Sequence, residues 1–217
     1  MKKGFTLIEL MVSVAIFSMV MVVALGALLT ISASERKAET LKSVMTNLNF
    51  ALDSMSRSIR TGINYDGFTA CTPSLPVVGV PTPTDCTTGT YAIAFQAVTA
   101  SLGSCVVGSP CVVVYCRGTG NTCSSSGTSI LRSTDGGANF LAITAPEVQV
   151  SNLTFYVKGA PRGDGFQPKV TVTVNGYIPL NGTAATQSSC IGQSTTGAAQ
   201  CSAFNLETSI TQRLYDQ

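Results

Sequence analysis

From residue 5 to residue 60 the chain holds no proline and a single glycine, Gly26, and the twenty residues LMVSVAIFSMVMVVALGALL, from Leu10 to Leu29, carry no charge. Nothing in that stretch would stop a helix, and at about 1.5 Å per residue it predicts a rod of roughly 80 Å. The uncharged run is long enough to cross a bilayer core of about 30 Å. From Leu41 onward the pattern narrows. Leu41, Val44, Met45, Leu48, Leu52, Met55 and Ile59 form an apolar stripe, while Lys42, Asn49, Asp53, Arg57 and Arg60 take the other faces. A rod of this kind is half membrane span and half amphipathic helix, and its second half should lie against a folded domain. Asp53 and Arg57 stand four apart in the favourable order for a surface ion pair.

Composition breaks near residues 61 and 62. All nine prolines lie at or after Pro73, and beyond Gly62 the hydrophobic period changes from helical to two. Strands are predicted over 91–98, 111–117, 128–132, 140–144, 148–158, 169–174 and 204–212, paired antiparallel because most links are short and rich in turn residues. The Asn175-Gly176 step reads as a hairpin turn, with Pro179 keeping any following strand short or at an edge. Residues 67–90 and 181–203 read as long irregular stretches. The predicted fold class is α+β: a long N-terminal helix packed on a C-terminal antiparallel sheet domain with disulfide-stapled loops.

The chain has no histidine, which excludes Ser-His-Asp and Cys-His nucleophile pairs and every His-ligated metal site. Its eight cysteines, Cys71, Cys86, Cys105, Cys111, Cys116, Cys123, Cys190 and Cys201, include no C-x-x-C pair. Disulfides in an oxidising compartment are the better reading than a thiolate metal site. Cys71 with Cys86, and Cys190 with Cys201, each fall within one irregular stretch, which leaves local stapling open to both; Cys190 is expected to pair with Cys201. No metal or other cofactor is expected, and no enzymatic activity. Asp135-Gly136-Gly137-Ala138-Asn139 and Asp164 offer oxygens suited to calcium, but turns use the same residues. Asn181-Gly182-Thr183 matches a glycosylation sequon and is equally a turn sequence. Thirteen basic against eleven acidic residues give a net charge of +2, and Lys2 and Lys3 account for that excess. Such a balance lacks the electrostatic footprint of a protein built to grip nucleic acid.

The extreme N-terminus reads Met1-Lys2-Lys3-Gly4-Phe5-Thr6-Leu7-Ile8-Glu9-Leu10. A basic leader, a glycine, an aromatic residue and a lone glutamate at the edge of a long apolar run together resemble the class III signal of type IV prepilins and type II secretion pseudopilins. The resemblance implies that a prepilin peptidase cuts between Gly4 and Phe5 and that the new N-terminal Phe5 is methylated. It also implies that Glu9 meets the N-terminal amine of a neighbouring pilin or pseudopilin subunit. A carboxylate within the bilayer costs roughly 2.5–3.5 kcal/mol on insertion scales, so a partner is needed. A buried ion pair of that sort would set the axial register between subunits. Gly26 stands where many pilins have a helix-breaking residue, and is equally an ordinary packing glycine.

Organisation follows as a leader at 1–4, an extended helix at 5–61 that spans inner-membrane lipid over about 10–30, and an extracytoplasmic domain at 62–217. The N-terminus would face the cytoplasm, and the assembled chain would sit in a periplasmic or cell-surface filament. Two plainer readings compete. An ordinary secretory signal ending at Ser32-Ala33-Ser34 would have an overlong apolar region carrying Glu9. A plain signal anchor is not decided by flanking charge, since Lys2 and Lys3 face Arg36, Lys37 and Lys42 across the run. Further along, Asn47 to Arg60, Ile130-Leu131-Arg132-Ser133, Val150 to Tyr156 and Leu206 to Arg213 resemble minor pilins and pseudopilin J more loosely. The function implied is a structural subunit that primes or caps a type IV pilus or a type II secretion pseudopilus. The alternative is a filament-tip adhesin or DNA-uptake pilin binding through its disulfide-closed loops. A basic stripe would mark the latter, and Arg117, Arg132, Lys158, Arg162 and Lys169 are scattered in sequence.

Overall fold

The computed structural model describes residues 6–97, 111–179 and 201–213. Among the described residues one α-helix, α1, runs from Leu7 to Arg60, 54 residues, continuous through Gly26, where Thr30 Oγ1 donates to the Gly26 carbonyl at 2.9 Å. The chain forms two compact units, divided within the helix: Met1–Lys42 and Ser43–Gln217. In the first, every described side chain from Leu7 to Leu29 is exposed. In the second, Val44, Leu48, Ala51, Met55 and Ile59 are buried, at spacings that keep one helical face toward the sheets. Burying a side chain of the size of Leu48 or Ile59 contributes about 1.5–3 kcal/mol. On the opposite face Arg57 Nε meets Asp53 Oδ2 at 2.9 Å, well exposed, so the expected pair forms and is worth a few tenths of a kcal/mol, about 0.3–0.5.

Among the described residues ten strands follow: β1 Gly62–Asp66, β2 Cys86–Thr90, β3 Ala92–Ala97, β4 Val112–Thr119, β5 Thr122–Cys123, β6 Ser129–Ser133, β7 Leu141–Ala142, β8 Gln149–Lys158, β9 Lys169–Pro179 and β10 Cys201–Thr211. They form one sheet ordered β1-β3-β4-β6-β7, with β5 on β4, and a second ordered β10-β9-β8-β2. Every pairing between these strands is antiparallel.

Alternation splits the first sheet into two buried faces. Toward α1 lie Ile93, Phe95, Val113 and Tyr115, all buried. Tyr65, Phe95 and Tyr115 make an aromatic row across β1, β3 and β4, with ring centroids 5.9 and 6.1 Å apart. The Tyr65 hydroxyl donates to the Ile59 carbonyl at 2.5 Å, which fastens the end of the helix to β1. The other face carries Ala92, Ala94, Val112, Val114, Cys116 and Leu131, covered by Phe68, Leu75 and Val77. The stretch read as irregular therefore has a packing role. It lies on the sheet, is tied there by Val77 N–H donating to the Gly136 carbonyl at 2.8 Å, and ends in the unpredicted strand β2.

Arg117 is buried, 9% exposed, and its Nη1 donates to the Ser151 carbonyl in β8, linking the two sheets. Burial pushes its guanidinium below the ordinary range. Arg117 is thereby removed from any surface stripe of basic residues.

The hairpin expected at Asn175-Gly176 is not there. β9 runs straight through it to Pro179, in the interior of the second sheet, with Gly176 opposite Val150 on β8 and Phe204 on β10. The phenyl ring of Phe204 occupies the space a side chain at 176 would need: a Cβ there would come within 2.5 Å of the ring. The turn signal is overridden because glycine in a strand also admits a close neighbour. Pro179 ends β9 and so costs the ladder nothing internal. The strand expected at 140–144 shrinks to Leu141–Ala142.

Cys71 bonds Cys86, which staples that stretch locally, and Cys116 bonds Cys123 across the β4–β5 hairpin. By loop closure each contributes about 2–3 kcal/mol. Cys111 and Cys201 are disulfide-bonded as well. Cys105 and Cys190, hence the expected Cys190–Cys201 pairing, lie outside the described residues, as does the sequon at residues 181–183.

Candidate assembly site at the helix N-terminus

Gly4 and Phe5 also lie outside the described residues; the site is visible from Thr6 onward. The Leu10 N–H donates to the Thr6 carbonyl at 3.3 Å, so Thr6 is the N-cap of α1. Glu9 Oε2 accepts from the Thr6 N–H at 3.3 Å and from the Thr6 Oγ1 hydroxyl at 3.2 Å. This is the reach-back half of a capping box, in which a glutamate at the third helical position satisfies the N–H of the cap residue. The spacing Thr6-x-x-Glu9 is plain in the sequence, yet reading Glu9 only as a charge in an apolar run passes over it.

The arrangement gives the carboxylate a local role and leaves it available for another. Both bonds end on Oε2, and the side chain is exposed. It points back along the chain toward the peptide that follows Phe5, and it lies at the positive end of the helix dipole, where negative charge is stabilised. C-terminal to it the helix shows exposed Leu10, Met11, Val14, Phe17, Val20 and further apolar residues through Leu29. By length and composition this helix can cross a membrane.

The residues weighed as calcium ligands are engaged in turns. Asp135 Oδ1 accepts from Ser133 Oγ at 2.5 Å, Ala138 N–H at 3.0 Å and Asn139 N–H at 2.9 Å, and Oδ2 accepts from Asn139 Nδ2 at 2.7 Å. Asp164 Oδ1 accepts from the Phe166 N–H at 2.8 Å. Among the described residues no group of three or more Cys, Asp or Glu is placed to hold a metal ion.

The Asp135 carboxyl is held down at about 2; its donors Ser133, Asn139 and Ala138 outweigh the opposing effect of burial. A depressed acid stabilises the fold above its unfolded pKa of about 3.9, and that contribution disappears as pH falls toward 2. Asp135 is exposed, so after solvent screening the effect should stay near or below about 1 kcal/mol. Urea unfolding of the chain and of Asp135→Asn should accordingly differ at pH 5 and converge at pH 2. A gap that persists at pH 2 would show that the charge is not what matters in this turn.

Residues 1–25 match the family model of the prokaryotic N-terminal methylation motif. No curated protein sequence and no solved structure matches the chain. The motif indicates a type IV pilin-like protein, and it implies processing by prepilin peptidase and assembly with other pilin subunits. An apolar helix beginning at Leu7 suits such a membrane-anchored chain.

Proposed function

We propose that this protein is a minor pilin or pseudopilin, a structural subunit that primes or caps assembly of a type IV pilus or type II secretion pseudopilus. The supporting observation is the continuity of the methylation motif at residues 1–25 with α1, exposed and apolar through Leu29 and buried from Val44 in the sheet-bearing unit. In this reading the leader 1–4 is removed, Phe5 becomes the methylated N-terminus, and residues of about 10–30 hold the chain in the inner membrane. Residues 62–217 then form the extracytoplasmic domain. Glu9 fixes the axial position of the subunit by meeting the amine of its neighbour, and the Thr6–Glu9 cap starts the helix directly behind the cut. The loose likeness of the body to pseudopilin J and minor pilins favours an initiating subunit over a bulk one.

Intact-mass analysis of the protein purified from membranes tests the reading. The mature chain should begin at Phe5 and carry one added methyl group, and substituting Gly4 by a bulky residue should leave the precursor uncut. A mature start near residue 34 would mark a conventional signal peptide and end the pilin reading.

A further inference from the structure

The strand edges of the two sheets are not alike. In the first sheet β7 has 2 residues, and β1 has 5 with a register shift between Ile63 and Asp66, where Asn64 takes φ 55°. In the second, β2 has 5 residues, with a register shift between Cys86 and Thr90 and Gly89 at φ 91°. Short length and bulges are the usual means of preventing an edge from recruiting another chain. β10 shows neither: it is 11 residues long and pairs with β9 without a break in register. It also contains no proline and a single ionisable residue, Glu207.

The phase of the ladder shows which groups the edge presents. Gln212 N–H donates to the Pro168 carbonyl at 3.0 Å, one step beyond the Thr211–Lys169 pair. In an antiparallel ladder bonding residues alternate, so even-numbered residues of β10 bond β9. The N–H and C=O groups of Ala203, Asn205, Glu207, Ser209 and Thr211 point away from the sheet. Among the described residues no strand pairs with this side. The same phase sends the Arg213 N–H outward, where it donates to the Arg60 carbonyl at 2.9 Å. The end of α1 therefore closes one end of the edge, and among the described residues no strand pairs along the rest of it.

We infer that the outer edge of β10 is a strand-addition site, which takes an extended segment of a second polypeptide carrying Lys or Arg opposite Glu207. Main-chain bonds would supply the affinity. Side-chain preference follows from the two faces of β10. Leu206 and Thr208, half-buried between Phe204 and Ile210, would extend an apolar face onto the incoming strand. Asn205, Glu207 and Ser209 set a polar opposite face whose only charge is negative. A second copy of β10 is the poorer occupant, since antiparallel self-pairing about its middle brings the two Glu207 carboxylates together.

The test uses the full chain in detergent and a capped nine-residue peptide, Thr-Val-Thr-Val-Lys-Val-Thr-Val-Thr. In the free chain the amides of Ala203, Asn205, Glu207 and Ser209 should exchange with solvent much faster than those of Phe204, Leu206 and Thr208. The peptide should slow the first set by about tenfold or more. The same peptide N-methylated at alternate residues should not, and replacing its Lys with Glu should weaken binding several-fold. Asn205→Pro removes one outward donor, a change edge strands tolerate, and should abolish peptide binding while leaving Tm within a few degrees. Slow exchange at the outward amides of the free chain, equal protection by the methylated peptide, or no binding of the parent peptide would each overturn the inference. The peptide controls decide the matter even where Asn205→Pro unfolds the chain.

Discussion

Replacing Glu9 with valine is expected to leave membrane insertion intact or improved and to remove the protein from filaments. Insertion should not suffer, because a carboxylate at this depth costs roughly 2.5–3.5 kcal/mol on insertion scales and valine removes that cost. Assembly should suffer for one of two separable reasons. The proposed ion pair with a neighbour's amine disappears, and so do the bonds that Glu9 Oε2 accepts from Thr6 at 3.3 and 3.2 Å. Losing such a cap costs a helix end about 0.5–2 kcal/mol. Glu9→Gln separates the two, since a glutamine amide can still accept from the Thr6 N–H but carries no charge. If charge sets the register, Gln should fail as badly as Val when sheared filaments are probed with an antibody to the globular domain. Recovery of assembly by Gln would transfer the role from ion pair to cap. Normal incorporation of Glu9→Val would show that the carboxylate does neither.

The helix was legible because its signals are local and repeated. No proline interrupts it, and the stripe Val44, Leu48, Met55, Ile59 reappears as its buried face. Strands with clear alternation, such as Val170, Val172 and Val174 on β9, were legible for the same reason. β1, β2 and β5 were not. They are short and carry glycine or threonine where a strand usually shows branched apolar residues; β1 and β2 are also held by partners remote in sequence, and β5 is only the 2-residue return of a hairpin from β4. Asn64 at φ 55° bends β1 in a way no periodicity reports. The cover of Phe68, Leu75 and Val77 over the first sheet was illegible because a stretch of Pro, Thr and Ser has no period, and its few apolar residues acquire meaning only from the surface beneath them. At the N-terminus the charge of Glu9 stands out against its apolar neighbours, which hid its simpler relation to Thr6. The open edge of β10 belongs to the topology. Nothing within Cys201–Thr211 marks an edge strand, and its scarcity of charge is what a central strand would show.

Gly176→Val should destabilise the sheet-bearing unit by about 3 kcal/mol, enough to lower the melting temperature by roughly 6–12 °C for a chain of this size. Neither Asn175 nor Gly176 has the positive φ that a two-residue hairpin turn would require, so strand geometry alone would accept valine. The obstacle is the neighbourhood. A Cβ at 176 would stand 2.5 Å from Phe204 Cζ, and it would also press on the Gln149 carbonyl, a backbone atom that cannot swing aside. Phe204 on β10 and Gln149 on β8 flank β9 on its two sides, so relief would require both neighbouring strands to shift. Gly176→Ala should show the same effect in smaller measure, about 1–3 kcal/mol. Adding Phe204→Ala should recover part of that loss and not all of it, because the ring is only one of the two obstructions; the non-additivity measures the ring's share. Thermal unfolding of the two glycine variants and of the Gly176→Ala/Phe204→Ala pair provides the check. An unchanged melting temperature for Gly176→Val would mean that β9 does not pass between β8 and β10 at this residue, and would restore Asn175-Gly176 as a turn.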